Sequence, residues 1–261
     1  MRLCQPPISP VERNLRTAAF ALLAIACSPD SDGTPGGSHA TGDDLLVVPE
    51  GLANTNVDSE DQGLTLLAFT LIPGLTGPEL YAAVRNDGDD PACEAGMITY
   101  FFDKAGQAVT STASVLRSGH LYRMTDGTII SCVPPTQIAM AANALPSSVS
   151  IADLGSLQHL FPSFTVNGIV PVAGLALKDV KTEAVSTGHL YTGRLANGLD
   201  VTVTAPKVEV FPVNRVGRPL GLATSTASGE LPPGGISPFR TSLVSDLGSG
   251  YAAYPSATIA E

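Results

Sequence analysis

The sequence predicts an all-β protein in which one small sandwich domain occurs twice. Three observations carry that prediction. Aromatic residues make up 5% of the chain and Trp is absent, while Val, Thr, Leu and Ile recur in short runs, the composition of a pleated half-buried surface. The 261 residues include 26 Gly and 21 Pro, enough to punctuate many turns but short of low-complexity disorder. Third, the chain resembles itself at a shift of 111 residues: Val84-Arg85-Asn86 falls on Leu195-Ala196-Asn197, Tyr100 on Phe211, Asp103 on Asn214 and Gly106 on Gly217.

The first 26 residues read as an export signal. Arg2, Arg13 and Arg16 precede an apolar stretch from Thr17 to Ala26, which is too short to cross a hydrocarbon core of about 30 Å. The stretch ends Leu23-Ala24-Ile25-Ala26-Cys27, which resembles the bacterial lipobox. That resemblance implies cleavage before Cys27 and a mature N-terminus carrying diacylglycerol and an acyl chain such as palmitate. An ordinary signal-peptide site nearby, or a mis-assigned start codon upstream of Arg13, are the competing readings, and both still imply export.

Residues 27–62 read as the lipid-anchored N-terminus and a flexible linker, beginning Ser28-Pro29-Asp30-Ser31-Asp32-Gly33. Ser28 after the lipidated cysteine resembles the pattern that permits sorting to the outer membrane, so the expected location is a lipid-anchored protein of that membrane, periplasmic or surface-exposed. The net charge of −10 becomes −12 once Arg2, Arg13, Arg16 and Glu12 leave with the signal. Such a chain has no basic patch for phosphate, which excludes nucleic acid as a partner and leaves the lipid as the membrane contact.

The first module is expected over residues 63–145. Its strands read Leu64 to Ile72, Leu80 to Arg85, Met97 to Phe102 and Gln107 to Val109. The turn Asp103-Lys104-Ala105-Gly106 suits a hairpin, because an Asp side chain accepts from backbone amides two residues on and Gly takes positive φ without a Cβ clash. Of the four cysteines, Cys4 leaves with the signal and Cys27 is modified, so Cys93 and Cys132 are expected to form a disulfide. Residues 146–173 are too apolar for a free linker and are expected to pack on a module, with Ser156 to Phe161 as a helical turn stopped by Pro162. The second module is expected over residues 174–261, with Thr165 to Val170 as the strand that opens it. In it Asn214 to Gly217 repeats the turn, and Leu231-Pro232-Pro233-Gly234 answers Leu116-Arg117-Ser118-Gly119.

The order of a Val-x-Asn strand, an aromatic strand ending at Asp-x-x-Gly, and a Leu-x-x-Gly turn resembles the FxLYD family of exported bacterial proteins, with Ile98 to Gly106 carrying the aromatic-Asp ending. The resemblance implies two tandem immunoglobulin-like β-sandwiches, and its motif concerns packing and turns rather than catalysis.

Candidate chemistry is sparse. His39, His120, His159 and His189 lack metal-ligand spacing. Asp87, Asp89 and Asp90 crowd one loop and form a calcium candidate, although the twelve-residue calcium loop ending in Glu is missing. No Gly-x-Ser-x-Gly elbow, phosphate loop or Ser-x-x-Lys motif occurs. The expectation is a non-enzymatic envelope lipoprotein without cofactor that meets an envelope protein. The alternative is an envelope hydrolase or carbohydrate-binding protein using loops of the sandwich. Exposed apolar area on the second module would mark a partner surface.

Overall fold

The computed structural model describes residues 53–57, 63–226, 229–245 and 248–259. The export signal, Cys27 and most of the linker lie outside the described residues. Within them the protein is all-β, as the composition predicts, and two sandwiches follow one another.

In the first sandwich, β2 (Leu64–Pro73), β3 (Pro78–Asn86) and β9 (Ile138–Ala144) form one sheet. The facing sheet runs β1 (Ala53–Val57), β10 (Leu154–Leu160), β5 (Gly96–Asp103), β6 (Ala108–Val115). Between them Phe69, Leu80, Val84, Met97, Phe101, Leu157 and Phe161 are fully buried. A short strand β4 (Ala92–Cys93) precedes β5, and β7 (Leu121–Arg123) with β8 (Ile129–Val133) forms a side hairpin.

The second sandwich repeats this plan. The strands β12 (Leu175–Val185), β13 (Gly188–Asn197) and β17 (Ile236–Arg240) correspond to the β2, β3, β9 sheet. The other sheet centres on β14 (Val203–Val213), which pairs with β15 (Ala223–Thr226) and β16 (Glu230–Leu231) on one side and β18 (Gly250–Ile259) on the other. Tyr191, Leu195, Val208, Val210 and Ala223 fill this core.

Hydrogen bonds mark the repeat atom by atom. The Asn86 amide donates to Asp90 O and Val133 O, both at 2.8 Å, and its oxygen accepts from Gly88 N. Asn197 does the same with Val201 O, Leu231 O and Leu199 N. A buried Asn that meets three backbone groups fixes the chain leaving each strand, which is why Asn occurs there twice. Asp103 Oδ1 accepts from Ala105 N and Gln107 N, and Asn214 Oδ1 from Val216 N and Arg218 N. Glu94 and Ala205, also 111 residues apart, both have φ of 45°, Glu94 on the turn between β4 and β5 and Ala205 within β14.

Four expectations are corrected. Val133-Pro134-Pro135-Thr136, not Leu116 to Gly119, is the counterpart of Leu231-Pro232-Pro233-Gly234: Gln137 N bonds Pro134 O as Gly235 N bonds Pro232 O, and Thr136 N bonds Asn86 O as Gly234 N bonds Asn197 O. The offset falls from 111 to 98 because the first copy carries the β7–β8 hairpin as an insertion. Ser156 to Phe161 is not a helical turn, since β10 closes the first sandwich and extends it into the segment expected as connector. β1 lies within the expected linker and pairs parallel with β10, Ala53 opposite Ser156 through Val57 opposite Leu160. Finally, Thr165 to Val170 does not open the second module: Val170–Val172, β11, pairs with β7 of the first.

Thr136 has φ of 64°, where its counterpart Gly234 has 71°. A β-branched residue in this left-handed region costs about 1–2 kcal/mol, against about 0.5–1 kcal/mol of extra chain entropy for Gly. Thr136→Gly is therefore expected to raise Tm by about 2 °C and Thr136→Ala by less, as thermal melts would show.

Candidate functional site

The outer face of the β2, β3, β9 sheet is covered in part by the second sandwich. Along β3, Leu80, Ala82 and Val84 point into the first core, while Tyr81 and Ala83 point outward and are buried too. They meet Met140 of β9, Phe211 of β14, and Ala252 and Tyr254 of β18. A strand apolar on both faces, Leu-Tyr-Ala-Ala-Val, is what burial from two sides requires.

Polar contacts fix this junction. Arg117 donates through Nε to Glu209 Oε2 at 2.8 Å and Lys207 to Oε1 at 2.8 Å, with the Glu209 side chain only 4% exposed. Burial pushes the Glu209 carboxyl up, but the hydrogen bonds from Arg117 and Lys207 outweigh it and hold the group below its ordinary value. Thr70 Oγ1 donates to Pro219 O at 2.6 Å, and Arg123 pairs with Asp200 at 2.6 Å. The inserted hairpin also reaches across: Leu121 and Ile129 pack on the second core.

Between the sandwiches is a cavity of about 640 Å3, within the range of small-ligand and peptide pockets. Its walls are Leu175, Leu177 and Val180 of β12, Ile138 and Met140 of β9, and residues 250–255 of β18. Arg215, exposed on the Asn214 to Gly217 turn that follows β14, is the one Lys, Arg, Asp or Glu among the described lining residues. His120 also lines it, and burial holds its imidazole below the ordinary value, favouring the neutral ring.

The residues singled out from the sequence lie elsewhere. Cys93 and Cys132 are bonded, their Cα atoms 3.9 Å apart on paired strands, beneath Tyr122 and Ile130. Asp87, Asp89 and Asp90 sit exposed on the loop after β3, where Arg85 binds Asp87 at 2.5 Å and holds its carboxyl below the usual range. No group of three or more His, Cys, Asp or Glu placed to hold a metal occurs among the described residues. His159 is buried in the first core against Phe69, with Nδ1 3.0 Å from Thr99 Oγ1, and burial holds its pKa down at about 4. Sequence reasoning missed the junction cavity, whose only advance signal was the unbroken apolar run of β3.

No family model matches the chain, and no curated protein matches it. Among solved structures, red sea bream transglutaminase overlays on 76% of this chain and 31% of its own length, at 9% identity and a TM-score of 0.22. The chain thus spans about a third of that enzyme, and an overlay of this quality carries no argument about fold or activity. The assignment to an all-β sandwich fold rests on the sheet topology itself.

Proposed function

We propose that this chain is a non-catalytic lipoprotein of the cell envelope, anchored in the outer membrane through Cys27, whose paired sandwiches present a binding surface to another envelope protein. The observation that carries the reading is the junction: two sandwiches held together by buried apolar and ionic contacts leave an apolar cavity open between them. A fixed frame with an apolar recess suits recognition, because little conformational entropy is lost when a partner docks. The lipobox-like run ending at Cys27 supports the address, and the Cys93–Cys132 disulfide suits an oxidising compartment.

Expression of the full chain in a diderm bacterium tests the address. Intact mass is expected to show cleavage before Cys27 and a lipidated cysteine, and Cys27→Ser is expected to move the protein out of the membrane fraction. A chain that keeps residues 1–26, or a Cys27→Ser variant that stays in the membrane, overturns the anchor.

A further inference from the structure

The repeat places an empty strand position beside β18. In the first sandwich β5 pairs with β10, Ile98 opposite Leu160 and Phe101 opposite Leu157. In the second, β14 pairs with β18, Glu209 opposite Tyr254 and Pro212 opposite Tyr251. Since Glu209 and Pro212 are Ile98 and Phe101 shifted by 111, β18 is the counterpart of β10. The far edge of β10 is occupied: β1 pairs with residues 156–160 in parallel. By the same register, the counterparts of those five residues are Gly250, Tyr251, Ala252, Ala253 and Tyr254. All five line the 640 Å3 cavity, and among the described residues β18 pairs with β14 alone.

The stretch that would fill this position in the second sandwich is tied elsewhere. β1 ends seven residues before β2, and the equivalent stretch before β12 is residues 164–168. Phe164 instead exchanges two backbone hydrogen bonds with Cys93, and Val170–Val172 continues into the pairing with β7. The slot thus has a backbone edge with unspent donors and acceptors and apolar walls from Leu177, Val180 and Met140.

We propose that this slot receives an extended segment of a partner protein, added parallel to β18 as β1 is added to β10. The proposal rests on reading the chain as an interaction protein, and it specifies the partner's chemistry. Main-chain bonds supply affinity and side chains of one parity enter the cavity, so the central four or five residues of the segment are apolar and uncharged. Arg215 stands at the end where β18 begins, so a parallel segment carries a carboxylate at its amino end.

The probe is a synthetic peptide of that chemistry, Asp-Asp-Leu-Leu-Val-Val-Pro-Glu, the sequence of residues 43–50, with fluorescein at its carboxyl end. Anisotropy against the full chain is expected to show saturable binding. Methylating alternate backbone amides of one parity is expected to abolish it and those of the other parity to spare it, which tests strand addition without altering the protein. Arg215→Gln is expected to weaken binding about threefold to fivefold, as for an exposed ion pair. Ala253→Trp, checked by melting for an intact fold, is expected to block it. Equal effects of methylation at both parities, or binding unchanged in Ala253→Trp, overturns the slot. If the peptide binds only after Leu45–Val48 is replaced by Gly and Ser, the chain fills its own slot and the partner reading fails. Peptide failing while dodecanoate displaces a naphthyl dye from the cavity makes the occupant a single-chain amphiphile and likewise overturns it. None of these readouts depends on lipidation, so they fail or stand apart from the Cys27 experiments.

Discussion

Replacing Cys93 and Cys132 together by Ala is expected to lower the stability of the first sandwich by about 4 kcal/mol, the value for cross-linking a loop of about forty residues in the chain-entropy model. The two cysteines are 39 residues apart, and the loop they close holds β5, β6, β7 and β8. Both side chains are buried, so the double substitution adds a packing loss to the entropic one. The effect extends beyond the bridge. Tyr122 and Ile130 pack around the disulfide, β11 pairs with β7, and Leu121 and Ile129 rest on the second core. Urea titration with and without reductant would read the loss. Hydrogen exchange is expected to show β7, β8 and β11 losing protection ahead of β12 and β13. A midpoint unmoved by reduction would contradict the assignment.

Stability is expected to fall by about 3 kcal/mol as pH drops from 6.5 to 4, through His159. Its imidazole titrates at about 4 in the folded protein against 6.5 when exposed, because burial among Phe69 and its neighbours penalises the cation. The folded state therefore binds fewer protons than the unfolded chain within that window. A depressed folded value gives stability that is fully present above pH 6.5 and lost as pH falls through 4. His120 is shifted in the same direction by its own burial and adds to the loss. Denaturation midpoints of the parent and of His159→Met, compared at pH 7 and pH 4.5, isolate the effect. The parent should lose most of the difference and the variant should keep it, whereas parallel curves would show that His159 is not the titrating group.

The parts of this fold legible in the sequence were those where one residue does a job no neighbour can share. Asn86 and Asn197 meet three backbone groups each, and Asp103 and Asn214 each cap a hairpin, so the repeat could be found from them. The Leu-x-x-Gly pairing misled because the need at that site is a left-handed backbone after two prolines. Thr136 meets it without the Gly that the pattern looks for. β10 read as a helical turn because Leu157, Leu160 and Phe161 have helical spacing. A register shift between Leu154 and Ser156 interrupts its period of two, while the inward place of His159 is invisible to hydrophobic patterning. β1, Ala-Asn-Thr-Asn-Val, has no alternation to find, and its pairing comes from the edge that β10 offers. The junction cavity was illegible because it is made by two sandwiches meeting. A single chain pattern records that a face is apolar and not what covers it.

The parallel pairing of β1 with β10 also sets how the protein bears a load. If the lipid anchor lies before Ala53, tension from the membrane enters at the amino end of β1, while a partner held by the second sandwich pulls through the carboxyl end of β10. Two parallel strands drawn in those opposite senses slide along each other, so the hydrogen bonds of all five register pairs share the force at once instead of opening in turn. With an anchor so placed, β1 acts as a shear joint, and the lifetime of the complex under tension would be governed by the rate at which that joint gives way.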